Sequence, residues 1–175
     1  MLFYSEKEAG FSIIEVIVGL VIIAILIAAV TPFFDTYFEQ NRLKGAAETL
    51  YDNINYARTT SIKNNTTVSL TFIAGASWCY GMASGAIACT CSSAPSVTNC
   101  NLGIISSTTY SGTSLATTIA GNTTTFNPTR GTPSNVGTVT FSTTTPTRSL
   151  QISLSAMGTA SLCSPSGTVG GYPGC

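Results

Sequence analysis

The first part of the chain carries a long apolar run that a single carboxylate interrupts. Every residue from 16 to 30 is apolar or glycine, and within residues 11–34 the only charged side chain is Glu15. At about 1.5 Å per residue, a helix of this length would extend roughly 36 Å, which exceeds the hydrocarbon thickness of about 30 Å of a bilayer. The pattern therefore predicts a transmembrane helix at residues 11–34.

A second helical pattern follows at residues 35–63. Apolar residues recur there at spacings of three and four, which is typical of a helix with one buried face. These residues are Leu43, Ala46, Ala47, Leu50, Ile54 and Ala57. We predict that both segments form one long helix whose second half packs on a sheet. Pro32 lies inside this helix, where the loss of a backbone hydrogen bond favours a kink.

From residue 64 onward the pattern is that of strands. Short runs rich in Thr, Val, Ile and aromatic residues are separated by Gly, Pro and Asn, as in antiparallel β domains. The runs are TTVSLTFI, ASWCYG, GIISSTTY, NTTTFNP, GTVTFS and RSLQISLS. The predicted fold class is therefore α+β, with the second half of the helix packed on an antiparallel β domain at residues 64–175.

Charge is distributed unevenly, and this limits the chemistry of the β domain. Residues 64–175 contain no Asp, Glu, Lys or His, and their only charged side chains are Arg130 and Arg148. Carboxylate acid–base catalysis is excluded in this region, and the chain lacks the histidines that metal sites and serine hydrolases commonly use. We therefore expect no enzymatic activity, no cofactor and no metal.

The cysteines all follow the predicted membrane helix; they are Cys79, Cys89, Cys91, Cys100, Cys163 and Cys175. An even number in a Thr-, Ser- and Gly-rich domain indicates disulfides and an oxidising compartment, with the pairing left open. The Cys-x-Cys spacing of Cys89 and Cys91 raises a metal site as the alternative, which oxidation disfavours. We predict that disulfides hold a loop at residues 83–100, and that Trp78 and Tyr80 pack against a disulfide.

The stretch AGFSIIEVIVGLVIIAILIAAVTP resembles the prepilin signature of type IV pilins and type II secretion pseudopilins. The matching residues are a glycine, Gly10, a phenylalanine, Phe11, and a glutamate at the fifth position of the mature chain, Glu15. The resemblance implies that residues 1–10 are a leader peptide. A prepilin peptidase would cut between Gly10 and Phe11 and methylate the new amino terminus of Phe11.

Glu15 needs a partner if it enters an apolar environment, because a carboxylate in hydrocarbon costs about 2.5–3.5 kcal/mol. The resemblance implies that Glu15 pairs with the amino terminus of Phe11 in an adjacent subunit, and an opposite charge within hydrogen-bond reach offsets that cost. The alternative is that Glu15 lies only about 6 Å deep in the membrane and extends to the headgroups.

The remaining chain shows a second resemblance. LYDNINYARTTSIKNNTTVSLTF is similar to the helix end and first strand of GspH/FimT-type pseudopilins, and SWCYG with its clustered cysteines resembles the FimU-type minor pilins. FNPTRGTPSNVGTVTFS and RSLQISLSAMGTASLC resemble the final strands of the family. The resemblance implies a pilin fold, in which Cys163 and Cys175 would close a C-terminal loop like the disulfide-bounded loop of pilins.

The function implied is that of a minor pilin of a type IV pilus. Such a subunit crosses the inner membrane once with its C-terminal domain in the periplasm, and then joins other major and minor pilins near the pilus tip to help initiate assembly. One alternative is a GspH-type pseudopilin of type II secretion.

Another alternative is a FimT-like competence pilin that binds DNA through arginines near a glycine in the last strands. No basic residue follows Gly158 in SAMGTASLC, so Arg130 and Arg148 would have to supply the phosphate contacts. Phosphate binding needs several cations. We favour a turn residue at Arg130 and a surface charge at the end of a strand at Arg148.

Overall fold

The structure is a computed structural model that describes residues 10–85, 89–91, 100–144, 147–165, 167 and 169–175, without the side chains of residues 29–35. The chain divides into two compact units, Met1–Tyr37 and Phe38–Cys175. The elements in chain order are α1 (Ile13–Asn64), β1 (Val68–Ile73), β2 (Cys79–Ser84), β3 (Gly103–Ser106), β4 (Thr113–Thr117), a short 3-10 helix (Ala120–Asn122), β5 (Thr123–Phe126), β6 (Gly137–Thr144), β7 (Thr147–Leu154) and β8 (Ala160–Cys163).

The end of α1 is fixed by a local backbone motif. Asn65 adopts a left-handed conformation with φ of 48°. The amide of Asn65 donates to the carbonyl of Ile62 at 3.3 Å, and the amide of Thr66 donates to the carbonyl of Ser61 at 3.2 Å. This pair of bonds satisfies carbonyls that the helix leaves free, and asparagine tolerates the left-handed conformation better than most residues. The chain can then turn directly into β1.

The second half of α1 is buried along the face that the sequence predicts. The apolar stripe has exposed fractions of 1% or less at all six positions, which are Leu43, Ala46, Ala47, Leu50, Ile54 and Ala57. These side chains belong to one core cluster together with residues of the strands, among them Leu70 and Leu150. The predicted packing of this half-helix on β structure is therefore confirmed.

The strands form two four-stranded sheets, with orders β3-β2-β1-β5 and β4-β6-β7-β8. All paired strands are antiparallel, and register partners include Leu70 with Met82 and Phe141 with Leu150. An isolated bridge between Gly75 and Leu115 links the two sheets. The α+β pilin fold class is confirmed. The sequence runs did not indicate β4, which is short and rich in small residues.

An aromatic cluster centred on Trp78 lies in the core. The Trp78 ring meets Phe141 edge-on at 5.0 Å between centroids and stacks on Tyr80 at 6.2 Å. The indole nitrogen donates to the carbonyl and the hydroxyl of Thr113, both at 3.1 Å. Because side chains alternate along a strand, Trp78 and Tyr80 lie on the face of β2 opposite Cys79. They therefore pack in the aromatic cluster, and our prediction that they pack against a disulfide is wrong.

Candidate assembly site

The N-terminal signature residues lie at the start of α1. The carbonyl of Ser12 accepts hydrogen bonds from the amides of Glu15 at 3.0 Å and Val16 at 3.3 Å, which closes the first helical turn. Glu15 is the acidic residue of this turn, where the positive end of the helix dipole favours a carboxylate. Gly10 and Phe11 precede the helix, and both are exposed. The positions at which we predict cleavage and methylation are thus exposed.

The apolar residues after this turn are exposed to an unusual degree. From residue 13 to residue 28, every residue except Gly19 is exposed. The exposed fraction is 80% for Ile13, 62% for Leu20 and 53% for Ile23. Contiguous apolar surface of this kind marks an interaction site, because water is a poor solvent for it.

Within the part of the chain whose side chains are described, no helix combines the length and the apolar character needed to span a membrane. The transmembrane helix at residues 11–34 stays a prediction. Residues 29–35 of that segment lie outside the described side chains. Pro32 is among them, and the kink that we expect there stays a prediction.

All six cysteines form disulfides, which pair Cys79 with Cys91, Cys89 with Cys100, and Cys163 with Cys175. The predicted disulfides are confirmed, including the C-terminal loop closure that the family resemblance implied. Of the predicted loop at residues 83–100, residues 86–88 and 92–99 lie outside the described residues. In the described part of the chain, no group of three or more His, Cys, Asp or Glu is placed to hold a metal.

The Cys89–Cys100 disulfide packs directly against the backbone of β2 at Gly81. A Cβ atom at position 81 would lie 2.1 Å from Cys89 Sγ and 2.7 Å from Cys100 Sγ. These sulfurs pack with Ala83 in a small cluster separate from the main core. A side chain at position 81 would displace the disulfide, so glycine is required by this close approach and not by its backbone conformation.

The C-terminal loop is attached to the second half of α1. The Tyr172 hydroxyl donates to the carboxylate of Glu48, and the Lys44 ammonium lies 5.6 Å from the centre of the Tyr172 ring. Burial of the hydroxyl raises the pKa of Tyr172 above its ordinary value, and the bond to Glu48 raises the pKa further. Val169 is buried in the core and fixes the same loop from within. The Cys163–Cys175 loop is therefore a packed part of the domain surface.

Sequence reasoning missed the contact of Tyr110 with α1. A Cβ atom at Gly45 would lie 2.9 Å from Cε1 of the Tyr110 ring, so the ring covers the helix backbone at this point. The hydroxyls of Tyr110 and Thr49 are 2.8 Å apart. One turn further on, the amide of Asn53 donates to the Tyr80 hydroxyl at 2.9 Å. The available signal was Gly45 itself, because a glycine inside a helix often indicates close packing.

The two arginines of the β domain occupy different environments. Arg130 is exposed, in the turn between β5 and β6. Arg148 lies in β7, where it is half-buried and donates from Nη1 to Oε1 of Gln40 at 2.6 Å. Arg148 therefore joins β7 to α1 and is more than the surface charge that we had favoured.

Two family models match the chain. Residues 6–31 match the prokaryotic N-terminal methylation motif, and residues 46–158 match the model described as type II transport protein GspH. With the helix-on-sheet fold, the motif and the exposed apolar half-helix, these matches define a pilin-like protein. The chain belongs to the GspH family.

A solved structure agrees on the fold. The chain is similar to the type IV minor pilin FimU of Pseudomonas aeruginosa, with a TM-score of 0.52, 21% identity, and coverage of 78% of this chain and 98% of that chain. A second crystal form of the same FimU gives a TM-score of 0.49, 20% identity, and coverage of 74% and 98%. No curated protein matches the sequence significantly.

Proposed function

We propose that this protein is a minor pilin, a structural subunit of a type IV pilus. The observation that carries the proposal is the exposed apolar half-helix at residues 13–28, directly after Gly10 and Phe11 and interrupted only by Glu15. Full burial of one Val, Leu or Ile side chain is worth about 1.5–3 kcal/mol relative to water, so this half-helix is suited to an apolar environment. The same residues would be embedded in the inner membrane first, and would then pack among the helices of other pilins.

The proposal includes processing at the N-terminus. A prepilin peptidase cuts between Gly10 and Phe11 and methylates the amino group of Phe11. In the filament, Glu15 then neutralises the amino terminus of Phe11 in a neighbouring subunit. The match of residues 6–31 to the N-terminal methylation motif supports this step. Assembly needs no catalytic group on this chain, because burial of apolar surface drives it.

Two further proposals concern the position of the subunit in the pilus and the movement of its helix. A location near the pilus tip, where the subunit helps to initiate assembly, follows from the resemblance to FimU-type minor pilins. Pro32 is the proposed point at which the helix loosens when subunits leave the membrane. Hydrogen exchange at residues 33–38 tests this role, and equal protection in membranes and filaments would contradict it.

The test of the assembly role is the incorporation of Glu15→Ala into pili. A strain lacking the chromosomal gene is complemented with the parent chain, with Glu15→Ala, or with Thr59→Ala, which removes an exposed hydroxyl from the other half of α1. Because breaking a buried charge pair is costly, we expect Glu15→Ala at normal levels in membranes but depleted about tenfold or more in sheared pili. Thr59→Ala should be incorporated normally. Equal incorporation of Glu15→Ala and the parent chain would contradict the role of Glu15.

A type II secretion pseudopilin is the second candidate function. It is favoured by the family model, which describes a type II transport protein and matches residues 46–158. Deletion of the gene separates the two. Loss of surface piliation with normal release of exoproteins supports the minor pilin, whereas loss of exoprotein release with normal piliation supports the pseudopilin. A DNA receptor would instead show its main defect in transformation, with Arg130 as the exposed arginine of the β domain.

A further inference from the structure

We propose that a surface at the C-terminal end of α1 docks an acidic helical segment of a neighbouring pilin subunit. This inference rests on the proposed function as a filament subunit and adds a partner-binding surface to it. We call this surface the Arg58 patch. It consists of Arg58 and Ile62 of α1, the buried glycines Gly131 and Gly158 beside them, and the exposed residues that precede these glycines in the chain, Arg130 and Met157.

Three parts of the chain converge at the Arg58 patch. A Cβ atom at Gly158, in the hairpin between β7 and β8, would lie 2.1 Å from the carbonyl oxygen of Gly131 and 3.1 Å from Arg58 Nε. A Cβ atom at Gly131, in the turn between β5 and β6, would lie 3.1 Å from Arg58 Nε and 2.7 Å from Ile62 Cδ1. Both glycines have left-handed backbones, with φ of 64° at Gly131 and 77° at Gly158. The Arg58 side chain therefore lies against two tight turns that leave no room for other side chains.

One donor of the Arg58 guanidinium is left without a partner among the described residues. The Nε of Arg58 is buried and makes no hydrogen bond there. The Arg58 side chain as a whole is half-buried, so part of it remains at the surface. A desolvated donor of a charged group carries a free-energy cost until an acceptor satisfies it. A carboxylate suits this purpose because its two oxygens match the planar guanidinium.

The surroundings of Arg58 favour a protein partner over nucleic acid. Ile62 is 47% exposed, and Met157, next to Gly158, is 77% exposed. Arginine and methionine beside apolar surface are enriched in protein interfaces, where arginines often contribute much of the binding energy. Nucleic-acid binding depends on the neutralisation of several phosphates. The patch offers two cations, Arg58 and Arg130, which fits one or two carboxylates better than a phosphate backbone.

The charge distribution of the chain indicates what the partner segment is like. No Asp or Glu follows Asp52, so residues 53–175 carry only positive charges. Four acidic residues lie at positions 35–52 of α1, with two basic residues among them. The end of α1 is thus basic and its middle is acidic. Subunits of one filament that share this distribution attract each other when the acidic middle of one helix meets the basic end of another. The proposed occupant is therefore a pilin segment equivalent to residues 35–52.

Photo-crosslinking from position 157 tests the proposal in the full chain. A photoreactive amino acid replaces Met157 in cells that lack the chromosomal gene, and the cross-linked peptides from sheared pili and from membranes are sequenced by mass spectrometry. We expect links to an acidic helical peptide of a pilin subunit. Arg58→Gln should reduce their yield about tenfold or more, because loss of one partner of a desolvated charge pair mainly speeds dissociation. Arg42→Gln, which changes an exposed arginine of the same helix, should leave the yield unchanged.

A second probe position makes the result specific to the patch. Val136 is 50% exposed and lies outside the Arg58 patch, so any link from this position should not depend on Arg58. Intact disulfides in the Arg58→Gln chain verify that it folds. Links from position 157 that do not depend on Arg58, links only to DNA or to non-pilin proteins, or the absence of links would each overturn the proposal.

Comparison of the sheared pili with the membranes distinguishes failure of the docking proposal from failure of the proposed function. If the chain is present in sheared pili without the expected link, only the docking proposal fails. If the chain is absent from pili, the minor-pilin proposal fails, and the cross-links in the membrane fraction then test the docking proposal. An Arg58-dependent link there to the acidic helix of another pilin-like subunit would support the patch, and its absence would overturn the patch as well.

Discussion

The two halves of α1 are both helical and both rich in apolar residues, yet their side chains have opposite environments. Leu20 in the first half is 62% exposed, whereas Leu50 in the second half is fully buried. The second half has a stripe of six apolar residues on one face that packs on the strands, while the first half is apolar on all sides. Apolar composition alone therefore does not identify the core of this protein. A helix that is apolar all round needs an environment that the subunit itself does not provide.

The largest expected effect is that of truncating a leucine in each half. Leu50→Ala should lower the free energy of unfolding by about 3 kcal/mol, because the fully buried side chain leaves a cavity. Leu20→Ala should change it by less than about 0.5 kcal/mol, since the leucine is exposed. Urea unfolding of the purified, oxidised chain in mild detergent measures both. A similar loss of stability in both variants would contradict the contrast between the two halves.

A second, smaller effect comes from the two glycines of α1. Gly45→Val should destabilise the protein by about 1–2 kcal/mol, because new methyl groups meet the Tyr110 ring and force it to move. Nothing lies within 4 Å of a Cβ atom at Gly19, so Gly19→Val should leave the free energy of unfolding nearly unchanged. Thermal unfolding followed by circular dichroism compares the two. Normal stability of Gly45→Val would show that the Tyr110 ring does not press on the helix.

The smallest expected effect is a dependence on pH from Tyr80, which contacts the second half of α1 through Asn53. Burial raises the pKa of Tyr80 well above its ordinary value, although the bond from Asn53 acts in the opposite direction. Above about pH 10 the unfolded chain loses this proton while the folded chain keeps it, so stability falls as the pH rises. We expect a slope of about 1.4 kcal/mol per pH unit from this residue.

Urea unfolding between about pH 8 and about pH 11 measures this slope, with thiol-blocking reagent present to prevent disulfide exchange. Tyr80→Phe removes the titrating hydroxyl and should flatten the curve above about pH 10. Tyr172 contributes in the same direction, so part of the slope should persist in the variant. Identical slopes in the parent chain and Tyr80→Phe would show that the Tyr80 hydroxyl is not buried in the folded state.

The local features of this fold could be predicted from the sequence, whereas the contacts between distant segments could not. The buried stripe from Leu43 to Ala57 follows from helical periodicity, because its members recur three or four residues apart in the sequence. The face of β2 that holds Trp78 also follows from strand alternation, and our prediction failed because it considered proximity in sequence only. The disulfide pairs depend on where separate loops meet, which spacing does not specify.

The candidate sites also differ in whether they could be predicted from the sequence. Gly10, Phe11 and Glu15 are adjacent in the chain and form a recognisable motif. The Arg58 patch joins α1 to two turns more than 70 residues away in sequence, and nothing near Arg58 in the sequence indicates it. A prediction from sequence therefore identifies the helix for which we propose an assembly role but misses the proposed docking surface at its far end.

The most direct test of the account is mass spectrometry of the protein from sheared surface pili and, in parallel, from membranes. We expect a chain in the pili that begins at N-methylated Phe11, with all six cysteines oxidised. Processing, compartment and filament membership would then be established together. A chain found only in membranes, with residues 1–10 still attached, would contradict the account and leave Glu15 as a carboxylate in an apolar helix without a partner.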